Sequence, residues 1–233
     1  MLRGKRGYAD PRPALVSTRE WGFNFPRMPE QRAARTAATR ARIAAAALDQ
    51  VAAGGYASAS VTAVAGRAGV AAGSVYTHFP SKADLFAEVF RDASERELAI
   101  VNEIAARTGE SVPERLAEAV EAWARRALAS PTLAWALMAE PVDPEIETAR
   151  VEAKRRYRDV FARLLDEGVS RGEVNAVDVR TAAAAIVGAM QESLVGPMAE
   201  PAAGAGLIPA LVAFVLHAVS AQEPARRRRR QRS

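Results

Sequence analysis

The sequence contains no cysteine. This absence excludes disulfide bonds, cysteine-ligated zinc sites and thiol catalysis, and it makes a reducing cytoplasm the expected location. Histidine is scarce as well, because only His78 and His217 are present and they lie far apart in the chain. Gly66, Gly69 and Gly73 lack the spacing of a phosphate-binding loop, and no HExxH motif occurs. We therefore expect no enzyme, no metal site and no cofactor.

One acidic group near the middle of the chain is the alternative to that expectation, since carboxylates can ligate a metal. Its members are Glu140, Asp143, Glu145 and Glu147. Asp143-Pro144-Glu145 has the pattern of a helix N-cap, a first-turn proline and an acid at the positive helix end. Helix capping is therefore expected to explain most of these acids.

Long apolar runs are also missing. The longest apolar stretch, Leu207 to Val219, is interrupted by Pro209 and His217 and is too short to cross a bilayer. The N-terminus is basic but lacks the apolar core of a signal peptide. The sequence therefore predicts no membrane partner.

Aromatic residues make up only 6% of the 233 residues, whereas 49% of all residues are apolar and alanine is abundant. A chain of this size and composition can bury a substantial core and is expected to form one or two domains. Alanine-rich sequence with few aromatics favours closely packed helices over strands. The predicted fold class is all-α.

Charge is distributed unevenly along the chain. Residues 1–30, 31–90, 91–221 and 222–233 carry net charges of +3, +3, −6 and +5. An acidic body repels phosphate, so any contact with nucleic acid is expected to come from the N-terminal part.

Residues 56–90 contain the most specific pattern in the chain. Apolar residues recur with helical spacing at Val61, Val64, Ala65 and Ala68, and Gly69 follows at once. A glycine in this place supplies the left-handed backbone that a tight turn between two helices requires. The pattern predicts a short helix that ends in such a turn.

A second short helix is expected after the turn, with an apolar and a polar face. Val75, Tyr76 and Phe79 have helical spacing on the apolar face, and the segment should end at Phe79-Pro80. The polar face consists of Gly73, Ser74, Thr77 and His78. The next helix is expected to begin after Ser81, with Asp84 in the capping-box position. Two short helices joined by a glycine turn have the geometry that places the second one in the DNA major groove.

These residues resemble the N-terminal signature of the TetR/AcrR family of transcriptional regulators. The matching elements, within about residues 36 to 90, are Gly55-Tyr56, Ala68-Gly69-Val70, Gly73-Ser74-Val75-Tyr76 and Phe79-Pro80-Ser81-Lys82. The resemblance implies a three-helix DNA-binding domain, an inducer-binding C-terminal domain and a homodimer. This chain departs from the signature at Ala71, where family members usually carry a serine or threonine that caps the recognition helix.

The candidate DNA-binding residues come from three places. Thr36, Arg40 and Arg42, near the start of the first predicted helix, could reach backbone phosphates. The resemblance implies phosphate contacts from Tyr76, His78 and Lys82 and base contacts from Ala72, Gly73, Ser74 and Thr77, and Thr62 completes the set. Tyr76 could instead be a core aromatic and His78 a plain surface residue. Lys82 is the more suggestive, because a lysine in a first helical turn is electrostatically unfavourable.

The chain is expected to divide into four parts. Residues 1–34 are predicted to be a flexible extension with Arg3, Lys5 and Arg6 as optional DNA contacts, although translation from Met28 is an equal alternative. Residues 35–90 form the helix-turn-helix domain, with a first helix from Thr36 to Ala53. Residues 91–221 form the ligand-binding and dimerisation domain, and 222–233 a disordered arginine-rich tail. That tail either adds non-specific nucleic-acid affinity or only solubilises the chain.

In the C-terminal domain, the candidate ligand-pocket residues are Trp123, Trp135, Met138, Phe161 and Met190, any of which could equally be core. The last two helices, about Val177 to Met198 and Leu207 to Ala221, are expected to form a four-helix dimer interface that includes Ala182, Ala185, Ala189, Leu211, Phe214 and Val215. The run from Lys154 to Arg158 is expected to be a solvated face paired with Glu147, Glu152 and Asp159.

The expected function is a DNA-binding transcriptional regulator. Its partners would be a palindromic double-stranded DNA operator, a second copy of the chain and a small apolar or amphipathic effector that releases the repressor. Two alternatives remain open. One is a constitutive DNA-binding protein without an inducer, and the other is a helical ligand-binding or interaction protein without operator binding.

Overall fold

The computed structural model describes residues 28–175, 178–199 and 206–220, and this part of the chain is entirely helical. The helices are α1 (Met28–Ser58), α2 (Val61–Ala68), α3 (Ala72–His78), α4 (Lys82–Ala105), α5 (Val112–Ala129), α6 (Pro131–Met138), α7 (Pro144–Ser170), α8 (Val179–Ala199) and α9 (Leu207–Val219). The predicted all-α fold class is confirmed. None of the helices in these ranges combines the length and the apolar character that a bilayer crossing needs.

Helix α1 differs most from its predicted bounds. It begins at Met28, eight residues before the predicted Thr36, so residues 28–34 are part of a helix and not of the predicted flexible N-terminal extension. The predicted stop is present, because Gly55 has φ 77° and ψ 176° and interrupts the helix. Residues 1–27 and the arginine-rich tail lie outside the described residues, and the predictions for them remain predictions.

The residues from Ile43 to Phe90 enclose a small core of their own. Ile43, Val64, Val75, Phe79 and Phe86 are all at most 1% exposed. Ala136 of α6 and Ile146 of α7 complete this core. The C-terminal body therefore contributes directly to the packing of the helix-turn-helix domain.

A second, larger core lies among α4, α5, α7, α8 and α9, with Leu116, Phe161, Leu165 and Leu194 fully enclosed. Helix α4 takes part in both cores, because its first half packs into the small core and its second half into the large one. Its 24 residues correspond to about 36 Å at 1.5 Å per residue. One rigid helix thus joins the two halves of the described fold.

Two buried arginines close helix ends inside the C-terminal body. Arg115, 2% exposed, donates to the carbonyls of Ala105 (2.8 Å) and Arg107 (2.7 Å) at the end of α4 and pairs with Glu167 of α7. The last carbonyl groups of a helix have no hydrogen-bond donor within the helix, and a neighbouring guanidinium can supply the missing N–H groups. Arg150 has the same function at the end of α6.

Candidate functional site

The α2–α3 pair forms the helix-turn-helix that the sequence predicts. Ser60 caps α2 by accepting the backbone N–H of Ala63 at 3.2 Å. Gly69 adopts the left-handed conformation, with φ 66° and ψ 39°, and Val70 donates back to the carbonyl of Ala65 at 3.0 Å. Ala71 then starts α3 without a side-chain acceptor, as the departure from the family signature implied.

Helix α3 buries Val75 and presents its other side chains outward. Ala72, Gly73, Tyr76 and Thr77 are exposed, whereas Ser74 and His78 are half-buried. Tyr76 is 53% exposed, so the alternative that it is a core aromatic is wrong. Thr62 on α2 and Thr36 and Arg42 on α1 are also exposed.

Arg40 is engaged within the protein, which differs from its predicted role as a phosphate contact. Its guanidinium pairs with Glu88 of α4, donates to the carbonyl of His78 at the end of α3, and lies 4.1 Å from the ring centroid of Phe79. These contacts fix the corner between α3 and α4. The sequence gives no signal for this, because Glu88 is 48 residues away along the chain.

Lys82 has a structural partner that the sequence argument did not provide. Its ammonium lies 4.5 Å from the centroid of the Tyr56 ring and 5.8 Å from that of Phe86. Such cation–π contacts offset the unfavourable placement of a lysine in a first helical turn. Lys82 is half-buried, so its packing role and a contact with a phosphate are compatible.

Tyr56 joins the helix-turn-helix to the segment between α6 and α7. Its ring packs edge-on against Phe86 and Phe90, with centroid distances of 5.3 and 6.5 Å. Its hydroxyl donates to the carboxylate of Asp143. Burial and this hydrogen bond raise the pKa of the Tyr56 hydroxyl well above its usual range.

Glu140 makes the second link between the same two segments. Its carboxylate, in a residue only 8% exposed, accepts the backbone N–H groups of Tyr56 (2.7 Å) and Ala57 (2.9 Å). The glycine conformation at Gly55 turns these two N–H groups toward one carboxylate. We call the contacts of Glu140 and Asp143 with residues 56–57 the clasp.

The clasp corrects the interpretation of the acidic group as helix caps. Asp143 occupies the N-cap position of α7, but its side chain makes no capping hydrogen bond and bonds to Tyr56. Glu140 precedes α7 and contacts a segment more than eighty residues upstream. Within the described ranges, no group of three or more His, Asp or Glu side chains is arranged to hold a metal ion.

Arg150 connects the clasp to a cavity in the C-terminal body. It is 8% exposed and donates to the carbonyls of Ala136 (3.0 Å), Leu137 (3.0 Å) and Glu140 (2.9 Å), and it pairs with Glu147 at 2.6 Å. It therefore holds the end of α6 and the residue whose side chain contacts the helix-turn-helix. Arg150 also lines the cavity.

The cavity has a volume of about 210 Å³ and lies among α4, α5, α6 and α7, with one residue of α8. Its apolar wall includes Trp123, Ala127, Leu133, Leu137, Met138 and the ring of Tyr157. Its polar groups are Ser94, Glu97, Arg126, Ser130, Arg150, Lys154 and Gln191. A mostly apolar wall with a few polar groups is typical of a small-molecule site.

The structure places two of the five predicted pocket residues, Trp123 and Met138, on the cavity wall. Phe161 and Met190 do not line the cavity and are core residues, 0% and 2% exposed. Trp135 is half-buried on α6 and is not among the lining residues. Sequence reasoning missed Lys154 and Tyr157, because it placed the first on a solvated face and the second in the core.

The predicted pairing of that solvated face is also incorrect. Arg156 pairs with Glu95 of α4 at 2.6 Å, and Glu147 pairs with Arg150, so neither uses the partner expected from spacing along α7. Tyr157 is buried, and burial together with the nearby charge of Glu97 raises the pKa of its hydroxyl well above the usual range.

Within the described residues, α8 and α9 each expose small or apolar side chains. Leu211 and Val215, predicted for a dimer interface, are 4% and 1% exposed and belong to the chain's own core. Phe214 is 60% exposed, Ala185 is exposed, and Ala182 and Ala189 are half-buried. Of the six residues predicted for the dimer interface, only Ala185 and Phe214 are exposed and available for contact with a second copy.

Two family models match the sequence, and together they cover more than half of it. The model described as bacterial regulatory proteins, tetR family, matches residues 43–89, which include α2, α3 and the clasp residues Tyr56 and Ala57. The model described as the tetracyclin repressor-like C-terminal domain matches residues 109–194, which hold most of the cavity wall. The chain belongs to the TetR family of bacterial regulatory proteins.

Solved structures agree with this assignment to the TetR family. FadR from Bacillus subtilis in complex with stearoyl-CoA is 26% identical, with a TM-score of 0.65 over 78% of this chain and 98% of that one. The fatty acid degradation regulator FadR from Bacillus halodurans is 24% identical, with a TM-score of 0.66 over 76% and 94%. GusR from Salmonella enterica is 24% identical, with a TM-score of 0.64 over 78% and 95%. No curated protein sequence matched the chain.

The family assignment confirms the expected general function. This TetR-family protein is a DNA-binding, ligand-responsive transcriptional regulator. The two family models match residues 43–89 and 109–194, and both ranges are helical in the structure.

Proposed function

We propose that the protein is a cytoplasmic repressor that binds a palindromic operator as a homodimer and leaves it when a small effector fills the cavity beside Arg150. The observation that carries this proposal is the continuous set of contacts from the cavity wall to the helix-turn-helix. Arg150 lines the cavity and bonds to the backbone of Glu140, and the Glu140 carboxylate holds residues 56–57.

The outward face of α3 supports the DNA-binding part of the proposal. Ala72, Gly73 and Thr77 are small or hydroxylic side chains suited to base edges, and the exposed hydroxyl of Tyr76 is suited to a phosphate. Arg42 and Lys82 add positive charge on either side of these residues in sequence. Arg40 is left out as a direct contact, because Glu88 and the carbonyl of His78 already occupy its guanidinium.

The coupling between ligand and DNA follows from the clasp. A ligand against Leu137 and Met138 pushes on α6, whose last carbonyls are held by Arg150. A shift of α6 moves Glu140, and with it the end of α1 and the start of α2. A ligand changes operator affinity only by its difference in affinity between the two arrangements, so the effector must fit the cavity of the released state better.

The homodimer rests on the uncovered face of α8 and α9. Phe214 is 60% exposed, so its apolar side chain gains little from burial within one chain and would gain more against a second copy. The small side chain of Ala185 allows a second helix to come close. Two copies related by a two-fold axis would present two α3 helices about one DNA turn apart, roughly 34 Å, or somewhat more.

The test is a mobility-shift titration of the full chain against the DNA that flanks its coding region, with unrelated DNA as competitor. We expect saturable binding that the competitor does not remove. Tyr76→Ala should weaken it at least ten-fold, whereas Val151→Ala, at an exposed residue of α7 outside the helix-turn-helix, should leave it unchanged. Equal affinity for operator and competitor DNA at every flanking site would refute sequence-specific regulation.

A further inference from the structure

Lys154 is a charged residue of the cavity wall for which the described part of the chain provides no ionic partner. It is half-buried on α7 and lines the cavity. Its ammonium forms no ion pair or hydrogen bond with any side chain in the described part of the chain, unlike its neighbours Arg150 and Arg156 on the same helix. A lysine on the wall of a mostly apolar cavity, without a counter-charge, favours the binding of an anion.

The other charged groups on the wall are already neutralised. Arg126 and Glu97 form a double hydrogen bond of 2.5 and 2.7 Å. Arg150 is paired with Glu147 and donates to three carbonyls. The charges of these two guanidinium groups are therefore balanced by Glu97 and Glu147, whereas no carboxylate in the described part of the chain pairs with Lys154. The cavity therefore offers one net positive charge.

The size of the cavity limits the body of the ligand. Its volume of about 210 Å³ lies below the roughly 300–1,000 Å³ of pockets that hold drug-sized molecules. Trp123, Tyr157 and Met138 provide aromatic and thioether surface around this space, which suits a flat ring.

We propose that the effector is a compact aromatic monocarboxylate, with its carboxylate on Lys154 and its ring against Trp123 and Met138. This inference rests on the proposed function, since it names the ligand of the same cavity. One ammonium matches one negative charge, whereas a dianionic headgroup would leave a second charge desolvated against the apolar wall. A cationic ligand would meet the repulsion of Lys154.

Calorimetric titration of the full-length protein tests this with benzoate, phenylacetate and cinnamate as probes. Each carboxylate is compared with the neutral alcohol of the same shape, and benzylamine serves as the cation. We expect at least one carboxylate to bind ten-fold or more tightly than its alcohol and than benzylamine. Stearoyl-CoA is titrated in parallel, because the structurally similar FadR of Bacillus subtilis was solved with it.

The same titrations on variants test whether the ligand carboxylate contacts Lys154. Lys154→Met should weaken the carboxylate at least ten-fold and leave the alcohol unchanged, and Lys154→Arg should restore most of the loss. Arg155→Met is the matched control, since Arg155 is the adjacent exposed cation on α7 and does not line the cavity. A purely structural effect of Lys154→Met would change both ligands alike.

Three results would overturn the inference: alcohols or benzylamine binding as tightly as the carboxylates, Lys154→Met leaving carboxylate affinity unchanged, or stearoyl-CoA binding while no carboxylate does. The mobility-shift assay on the same preparation separates this failure from failure of the proposed function. Specific operator binding without carboxylate binding would refute only the proposed ligand class. Carboxylate binding without operator binding would support the ligand class and refute the proposed repressor function.

Discussion

The buried carboxylate of Glu140 accepts hydrogen bonds from the backbone N–H groups of Tyr56 and Ala57, with N···O distances of 2.7 and 2.9 Å. The two N–H groups belong to the end of α1, just before the helix-turn-helix, and Glu140 belongs to the C-terminal body. Glu140 and Tyr56 are 8% and 7% exposed, whereas Ala57 is an exposed residue, so water competes least for the Tyr56 N–H. In the proposed function, the stability of the DNA-binding domain and its response to a ligand depend on the same contact.

Glu140→Gln is expected to lower the free energy of unfolding by about 1–3 kcal/mol, because an amide offers one acceptor oxygen and turns its NH₂ group toward the other of the two N–H groups. Urea unfolding measures the change. Glu152→Gln, at an exposed position on α7, is the control and should be neutral. If both variants unfold at the same urea concentration as the parent, the clasp does not stabilise the fold.

Gly55→Ala is expected to destabilise the protein by about 1–3 kcal/mol, since φ 77° with ψ 176° is a conformation available almost only to glycine. A Cβ at this position would also lie 3.0 Å from both carboxylate oxygens of Glu140. Gly66→Ala in α2 meets no atom within 4 Å and should instead stabilise by about 0.4–1 kcal/mol. Thermal melts that rank the two variants in the opposite order would contradict this account of the kink.

Lys82→Ala is expected to affect two properties. Loss of its contact with the Tyr56 ring should cost about 0.5–1 kcal/mol of stability. Loss of a phosphate contact should lower operator affinity and reduce the slope of log affinity against log salt concentration by about 1. Melting curves and mobility shifts at several salt concentrations separate the two effects. An unchanged salt slope would leave Lys82 with its packing role alone.

Alkaline conditions should destabilise the protein partly through Tyr56. Below about pH 10 both the folded and the unfolded state keep the phenolic proton, so Tyr56 contributes no pH dependence. As the pH rises past this value the unfolded state releases the proton first, because burial and Asp143 raise the folded-state pKa, and stability falls. The free energy of unfolding, measured with urea between pH 8 and 11, should therefore fall less steeply with pH for Tyr56→Phe than for the parent. Parallel curves would contradict the raised pKa.

Phe214→Glu is expected to convert the proposed dimer into monomers, because it places a charge at the centre of the exposed apolar face of α9. Val151→Glu changes an equally apolar, 53% exposed residue on α7 and should remain dimeric. Sedimentation velocity distinguishes the two states. A parent protein that sediments as a monomer, or a Phe214→Glu variant that stays dimeric, would exclude this interface.

The helices could be predicted because their signals are local. The glycine turn at Gly69, the cap at Ser81 and the period of apolar residues each depend on neighbours a few positions away, and the structure places the helix ends within a few residues of them. Helix α1 is the exception. Residues 30 and 32–35 of this helix are exposed and are polar or small, so no apolar period marks its beginning.

The cavity and the clasp could not be predicted, because they depend on contacts between distant segments. Trp123 and Phe161 occupy similar apolar stripes, and only the packing of the helices makes one a wall residue and the other core. The same holds for Leu211 and Phe214 on α9, a helix that is apolar on every side. Patterns of single helices identify which residues are apolar but not which surface each of them covers.

The partner of Glu140 is main chain rather than side chain. Its two hydrogen bonds require the backbone course set by Gly55 and no particular side chain at position 57. In the proposed mechanism, residues that read bases can therefore be exchanged without loss of this contact. The same C-terminal body could therefore regulate DNA-binding domains that recognise different operators, provided that Gly55 and its backbone conformation are kept.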